Sequence, residues 1–271
     1  MLQLLKPTIL TIVLTAFISC SSDDNKNLDP TKPTTKTILI PKKISAIENY
    51  FNIEKYTVEF NYTDDFLIAN FVLKNNNKQI HTKAEYEDGK LARFYNDTSD
   101  TSNVAILNYN NKNQLIGMDT PHLPTMIFSY NTNNQVIETN IDHLLVSKYT
   151  YDTTGNIEKA KMVVTVPGQT AIEKRKFTYD DKNPPFKYTN YSFELDVSEL
   201  LSEINFIYKP TNNPLTEESE NGGEADNLYN YKYEYTYNEY DFPITIKKIT
   251  NSGKVLEERT YEYEVHIINI D

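Results

Sequence analysis

A phrase built on tyrosine recurs along the chain and constrains its fold more than any other feature. It reads Phe60-Asn61-Tyr62-Thr63-Asp64-Asp65-Phe66-Leu67, then Tyr86-Glu87-Asp88-Gly89-Lys90-Leu91. Next come Tyr109-Asn110-Asn111-Lys112-Asn113-Gln114-Leu115 and Tyr130-Asn131-Thr132-Asn133-Asn134-Gln135-Val136. It returns at Tyr151-Asp152-Thr153-Thr154-Gly155-Asn156-Ile157 and Tyr179-Asp180-Asp181-Lys182-Asn183-Pro184. Tyr208-Lys209-Pro210-Thr211-Asn212-Asn213-Pro214-Leu215 and Tyr237-Asn238-Glu239-Tyr240-Asp241-Phe242-Pro243-Ile244 complete the set. The tyrosines are spaced by 24, 23, 21, 21, 28, 29 and 29 residues. A period of this length marks an array of supersecondary units.

Asn, Asp and Gly tolerate positive φ and hydrogen-bond their own backbone, so the middle of each phrase reverses the chain tightly. The flanks alternate with period two, as in Tyr229, Tyr231, Tyr233, Tyr235 and Tyr237 between Asn230, Lys232, Glu234 and Thr236. Each unit therefore reads as a β-hairpin. The expected fold is all-β: an antiparallel meander of about eight hairpins forming one large curled sheet, a half-barrel or a barrel-like closed structure. Two segments leave the pattern. Val197, Leu200, Leu201 and Ile204 fall on one helical face after Asp196, with Glu199 completing a capping box, which predicts one short helix over 196–204. The acidic run from Glu217 to Asn227 reads as an exposed loop.

The 27 Lys and Arg against 38 Asp and Glu give a net charge of −11, the wrong sign for a nucleic-acid surface. Tyr 21 and Phe 12 suit half-buried strands, and Cys 1 excludes an intrachain disulfide or a cysteine-rich zinc site.

That single cysteine stands at an informative place. Residues 1–19 carry one charge, Lys6, and then an apolar run from Pro7 to Ile18, short for a membrane span but suited to the core of a secretory signal. Phe17-Ile18-Ser19-Cys20 follows and resembles a bacterial lipobox, with Phe17 and Ile18 in place of the usual Leu and small residue. The resemblance implies acylation of Cys20, and two acyl chains would hold the chain on a membrane by on the order of 20 kcal/mol. Ser21-Ser22-Asp23-Asp24 resembles the acidic export signal of Bacteroidota surface lipoproteins, and implies display at the cell surface. The expected domains are a signal peptide at 1–19, a lipidated flexible tether at 20–37 and one β-repeat domain at 38–271.

Tyr149-Thr150-Tyr151-Asp152-Thr153-Thr154-Gly155-Asn156-Ile157 resembles the YD repeat, Y-x-Y-D-x-x-G-x-L, of Rhs-type shell proteins, although the other units replace its Gly and the usual following Arg is missing. Signal, lipobox and tyrosine hairpins together look more like a Bacteroidota lipoprotein family of unknown function described as porin-like, over roughly residues 40–271. That resemblance implies a fold and a location and carries no activity.

No catalytic motif occurs. The histidines His81, His122, His143 and His266 lack metal-ligand spacing, and no nucleophile elbow, phosphate loop or dinucleotide fingerprint is present. The expectation is a non-enzymatic protein without cofactor or metal. Oxygens of Glu217, Glu218, Glu220, Glu224 and Asp226 would be the only calcium candidates, in an order that does not match a calcium loop. Asp152-Thr153-Thr154 fits a D-[ST]-x glycosylation pattern described for secreted Bacteroidota proteins, which makes Thr153 the candidate acceptor.

The leading functional expectation is a lipid-anchored outer-membrane or cell-surface protein that binds or scaffolds a glycan or other extracellular ligand. An assembly or carrier protein sheltering an apolar or peptide ligand is the alternative, with a secreted hydrolase or an inserted barrel behind it. Against insertion stand strand faces rich in Tyr rather than Leu and Val, a terminal Asp271, and a lipid anchor that an inserted barrel would not need.

Overall fold

The computed structural model describes residues 34–270 apart from 50–52, 76–77, 97–103, 121–122, 143, 190–191, 197–200, 206–208 and 221–229. Cys20, Ser21, Ser22, Asp23, Asp24, His122 and His143 lie outside the described residues. Thr37–Ile268 forms one compact unit.

The first half of the chain supplies β1 (Thr34–Asn49), β2 (Ile53–Tyr62), β3 (Ile68–Asn75), β4 (Lys78–Glu87), β5 (Lys90–Asn96), β6 (Val104–Tyr109), β7 (Leu115–Thr120) and β8 (Leu123–Tyr130). β9 (Val136–Ile141), β10 (Leu145–Tyr151), β11 (Ile157–Val166) and β12 (Gln169–Tyr179) continue the meander. A short pair, β13 (Ser192–Asp196) and β14 (Leu201–Asn205), stands apart as its own two-stranded sheet. β15 (Pro214–Ser219), β16 (Tyr231–Tyr237), β17 (Pro243–Thr250) and β18 (Val255–Ile270) then return to the first sheet, and β18 meets β1. Sixteen strands close into a barrel. Closure removes the exposed edges that an open sheet of this width would offer to other chains.

Alternation decides which face looks inward. Val58, Phe60, Phe71, Leu73, Leu91, Leu107, Leu115, Phe128 and Val136 are buried and form one apolar cluster on the inner face of β2 to β9. Phe60 lies opposite Phe71, and Val58 opposite Leu73. Porin barrels of 16 strands hold a water channel. Here Val58 and Leu91 are 0% exposed on the inner face, so this side of the barrel is filled with side chains. The outer face carries exposed Ile106 and Ile127 and cross-strand ion pairs: Lys74 to Glu59 at 2.7 Å, Arg93 to Glu85 at 3.0 Å, Lys148 to Glu138 at 3.1 Å and Lys43 to Glu262 at 2.8 Å.

Two sequence expectations fail here. Residues 201–204 belong to a strand: Leu195 lies opposite Ser202 and Phe193 opposite Ile204, and no helix occurs among the described residues. A nine-residue helix is below the length at which helices hold together unaided in water, so pairing with Ser192–Asp196 overrides the helical pattern. The expected acidic loop also begins too early, because Glu217 and Glu218 lie in β15 opposite Phe177 and Lys176.

Candidate functional site

Most turns at the tyrosine end of the barrel are built from the same parts, while the turn after Tyr86 is a two-residue reversal with Asp88 and Gly89 at positive φ between Glu87 and Lys90. In the shared form the residue after the tyrosine accepts two backbone N–H groups: Asn110 Oδ1 from Lys112 and Gln114, Asn131 Oδ1 from Asn133 and Gln135, and Asp152 Oδ1 from Thr154 and Asn156. Asn238 repeats this with Tyr240 and Phe242. Four residues after the tyrosine the backbone enters the left-handed region, at Phe66, Asn113, Asn134, Gly155 and Asp241. Burial works against the Asp152 charge, but donation from Thr154, Asn156 and Gly155 outweighs it and lowers its pKa.

The sixth turn is split. Asp180 Oδ1 accepts from Lys182 N at 2.9 Å and from Asn213 N at 2.9 Å, doing across 33 residues what Asn110 does for Gln114 across four. The phrases at Tyr179 and Tyr208 are thus the two halves of one turn, and the eight phrases make seven turns. The inserted segment enters the mouth of the barrel. Phe186 is buried in the apolar cluster with its ring 5.5 Å from that of Phe60, and Tyr188 lies 5.9 Å from Phe242. Buried Asn156 accepts from the N–H groups of Thr211 and Asn212 and so pins the returning limb.

Open grooves lie between neighbouring turns on the outer wall. One, of about 530 Å³, is lined by Asn131, Asn133, Gln135, Ile137, Thr150, Thr153 and Thr154. The next, of about 520 Å³, is lined by Asp152, Thr154, Asn156, Glu158, Lys176, Thr178, Asp180 and Asp181. They share Asp152 and Thr154, so they form one continuous track, polar in the first groove and floored by Phe177 and Tyr179 in the second. Thr153 is exposed at the tip of the turn between them.

The inner wall opposite the apolar cluster is charged, which the sequence reading missed. Arg175 pairs with Glu173 and Glu217, Arg259 with Glu257, and Lys248 lies 3.7 Å from Glu217 with its ammonium 4.1 Å from the centre of the Tyr231 ring. Tyr233 donates its hydroxyl to Glu217 at 2.9 Å. Burial opposes the Arg175 and Arg259 charges, yet Glu217 and Glu173 for one, and Glu257 for the other, raise both pKa values. Burial and the Glu217 charge push the Tyr233 phenol well above its ordinary value. The available signal was a Glu-x-Arg spacing in β12 and β18, which puts acid and base on one strand face.

Of the calcium candidates, Glu217 faces these inner cations, Glu220 pairs with Lys159 at 2.9 Å, and Glu224 and Asp226 lie outside the described residues. His81 is exposed on β4 beside Gln79, while the His266 ring lies 4.9 Å from Phe66. No group of three metal-binding side chains converges among the described residues.

No family model and no curated protein matches the chain. Its fold is similar to the crystal structure of a porin-like protein from Bacteroides uniformis, with 13% identity, a TM-score of 0.55, and coverage of 83% of this chain and 98% of that one. A porin-like protein from Bacteroides vulgatus aligns more loosely, at 13% identity and a TM-score of 0.44, covering 84% of this chain and 99% of that one. The porin-like expectation is met at the level of fold.

Proposed function

We propose that this chain is a lipid-anchored protein of the outer membrane, displayed at the cell surface, that binds glycan without transforming it. The continuous track under the turns, with polar groups along its length and the Phe177 and Tyr179 rings in its second groove, carries the reading. It presents carboxamides, hydroxyls and carboxylates on a rigid rim, and these are the donors and acceptors that sugar hydroxyls require. Its repeat is set by two strand spacings, roughly 10 Å, so successive units of a linear polysaccharide would meet like chemistry. The packed apolar interior favours the rim over an enclosed carrier site, because an apolar guest would have to displace Phe186.

The charged outer wall supports tethering rather than insertion. A Lys or Arg facing lipid costs about 2–4 kcal/mol near the bilayer centre, and Lys74, Arg93 and Lys148 all point outward. A glycan microarray tests the binding reading, with Asn133→Ala and Thr178→Ala as groove variants. Retention of a polysaccharide that weakens at least tenfold in both variants is expected. Retention of none, or binding unchanged by either substitution, overturns the reading.

A further inference from the structure

At the barrel end opposite the tyrosine turns, the hairpin of β11 and β12 ends in an uncharged tip. From Met162 to Ile172 it carries no charged residue, in a chain that is 24% charged. It also outreaches its neighbours among the described residues. The ladder with β10 ends at Leu145 opposite Val164, with one further link from Thr165 N to Leu144 O, and contact with β15 ends where Glu220 N donates to Lys174 O. A turn through Pro167 and Gly168 closes it, with Gly168 at φ 83°.

Apolar side chains stand on both faces of the tip, among Thr165, Gln169 and Thr170. Val164 and Val166 follow the inner face and Ile172 the outer one, and they are 43%, 47% and 50% exposed. Exposed β-branched side chains on a projecting hairpin are an association hazard unless something covers them. A protein partner covers one face of a ribbon, whereas lipid surrounds it.

Just behind the tip the charge reverses. On the outer face Lys161 lies opposite Lys174, and Lys159 opposite Lys176. Like charges directly opposite each other destabilise a sheet; Glu220 offsets Lys159 at 2.9 Å and Glu218 lies opposite Lys176, and the pair nearest the tip is Lys161 and Lys174. An apolar tip behind a lysine collar matches the order of a membrane surface met from water: anionic headgroups first, acyl chains beyond them.

We propose that the Val164–Ile172 tip dips into an anionic lipid surface, with Lys161 and Lys174 on the headgroups. This is a second membrane contact, independent of any acyl chain. The chain contains no tryptophan, so Val166→Trp supplies a sole indole at the tip and Thr236→Trp a control on the outer wall, each excited at the red edge of the indole band where tyrosine does not absorb. Both variants of the full lipidated protein are placed on vesicles of brominated phosphatidylglycerol, and on vesicles of brominated phosphatidylcholine. Expected is quenching of the tip tryptophan at least threefold stronger than the control on the anionic vesicles, falling to the control level on the neutral ones and with Lys161→Glu/Lys174→Glu. Equal quenching of tip and control overturns the proposal. A blue shift that follows protein concentration without lipid would assign the tip to a second copy and overturn it as well. Vesicle attachment itself is shared by every arm, so failure of the acyl anchor would be seen separately.

Discussion

The Tyr130 hydroxyl donates to the backbone carbonyl of Leu115 at 2.8 Å, two residues beyond the last rung, Gly117 opposite Ile127, that joins their strands. Seven other tyrosines repeat this relation at 2.6–2.9 Å: Tyr62 to Pro41, Tyr86 to Ile68, Tyr109 to Leu91, Tyr151 to Val136, Tyr179 to Ile157, Tyr235 to Pro214 and Tyr263 to Pro243. Each takes up a carbonyl where the ladder has run out and the strands part toward the turn. In six of the eight phrases the tyrosine is therefore a cap on the barrel wall; in β16 Tyr235 takes this role while Tyr237 donates to Asp180, and every second strand of the barrel supplies one cap.

Tyr130→Phe keeps the ring and leaves the Leu115 carbonyl without its partner, which should cost about 1–3 kcal/mol. Tyr235→Ala also removes the half-buried ring, and about 3 kcal/mol, the low end for a core aromatic, is expected. Glu234→Ala on the wet face should change stability by about 0.5 kcal/mol or less. Urea unfolding midpoints measure all three. Equal, small losses from Tyr235→Ala and Glu234→Ala would show that the tyrosine stripe packs against nothing.

Alkaline pH should unfold the barrel cooperatively. Burial raises Tyr62, Tyr233, Tyr235 and Tyr263 far above the ordinary value of 10.0. The folded state then holds protons that the unfolded chain releases, so this stability is complete below pH 10 and is lost as pH rises above it. Tyrosinate absorbance and circular dichroism should change together above that pH. Absorbance rising to completion with the fold intact would contradict the burial of these phenols.

Glu217→Ala leaves Arg175 with Glu173 alone and takes the carboxylate from Lys248 and the Tyr233 hydroxyl, which should cost about 1–3 kcal/mol. Lys232→Ala, on the outer face of the adjacent strand, should be nearly silent. Thermal denaturation of the two variants compares them, and similar melting temperatures would place Glu217 in open water.

Asn134 sits at φ 63°. Asn134→Gly should leave stability within about 0.5 kcal/mol, while Asn134→Ala should cost about 1–2 kcal/mol because Cβ crowds the following carbonyl in this conformation. If Ala and Gly behave alike in chemical denaturation, the shared turn geometry is not what the backbone adopts.

The hairpin array was legible because its signals are local: turn residues at fixed offsets, and alternation between them. What escaped depends on partners distant in sequence. The Tyr179 phrase looks complete, and nothing near it reveals that Asn213 finishes its turn. Val197, Leu200 and Leu201 mimic a helical stripe, and the competing strand pairing exists only once Ser192–Asp196 lies alongside. Glu173 and Arg175 alternate in the same phase as the inner face, but charged residues on a strand read equally well as its wet face until closure decides. The grooves arise between turns 21 and 28 residues apart, so no single motif contains one.

The most direct test of a wet barrel held at a membrane by its tether is labelling of its outer wall. Glu85→Cys, Lys148→Cys and Lys176→Cys place thiols on three parts of that wall, and Thr153→Cys places one at the exposed turn. In isolated outer membranes, a membrane-impermeant maleimide should modify all four within about twofold of the same rate, with no need for detergent. Modification of Thr153→Cys alone, with the wall thiols reacting only after detergent, would mean that lipid surrounds the barrel and would contradict the account.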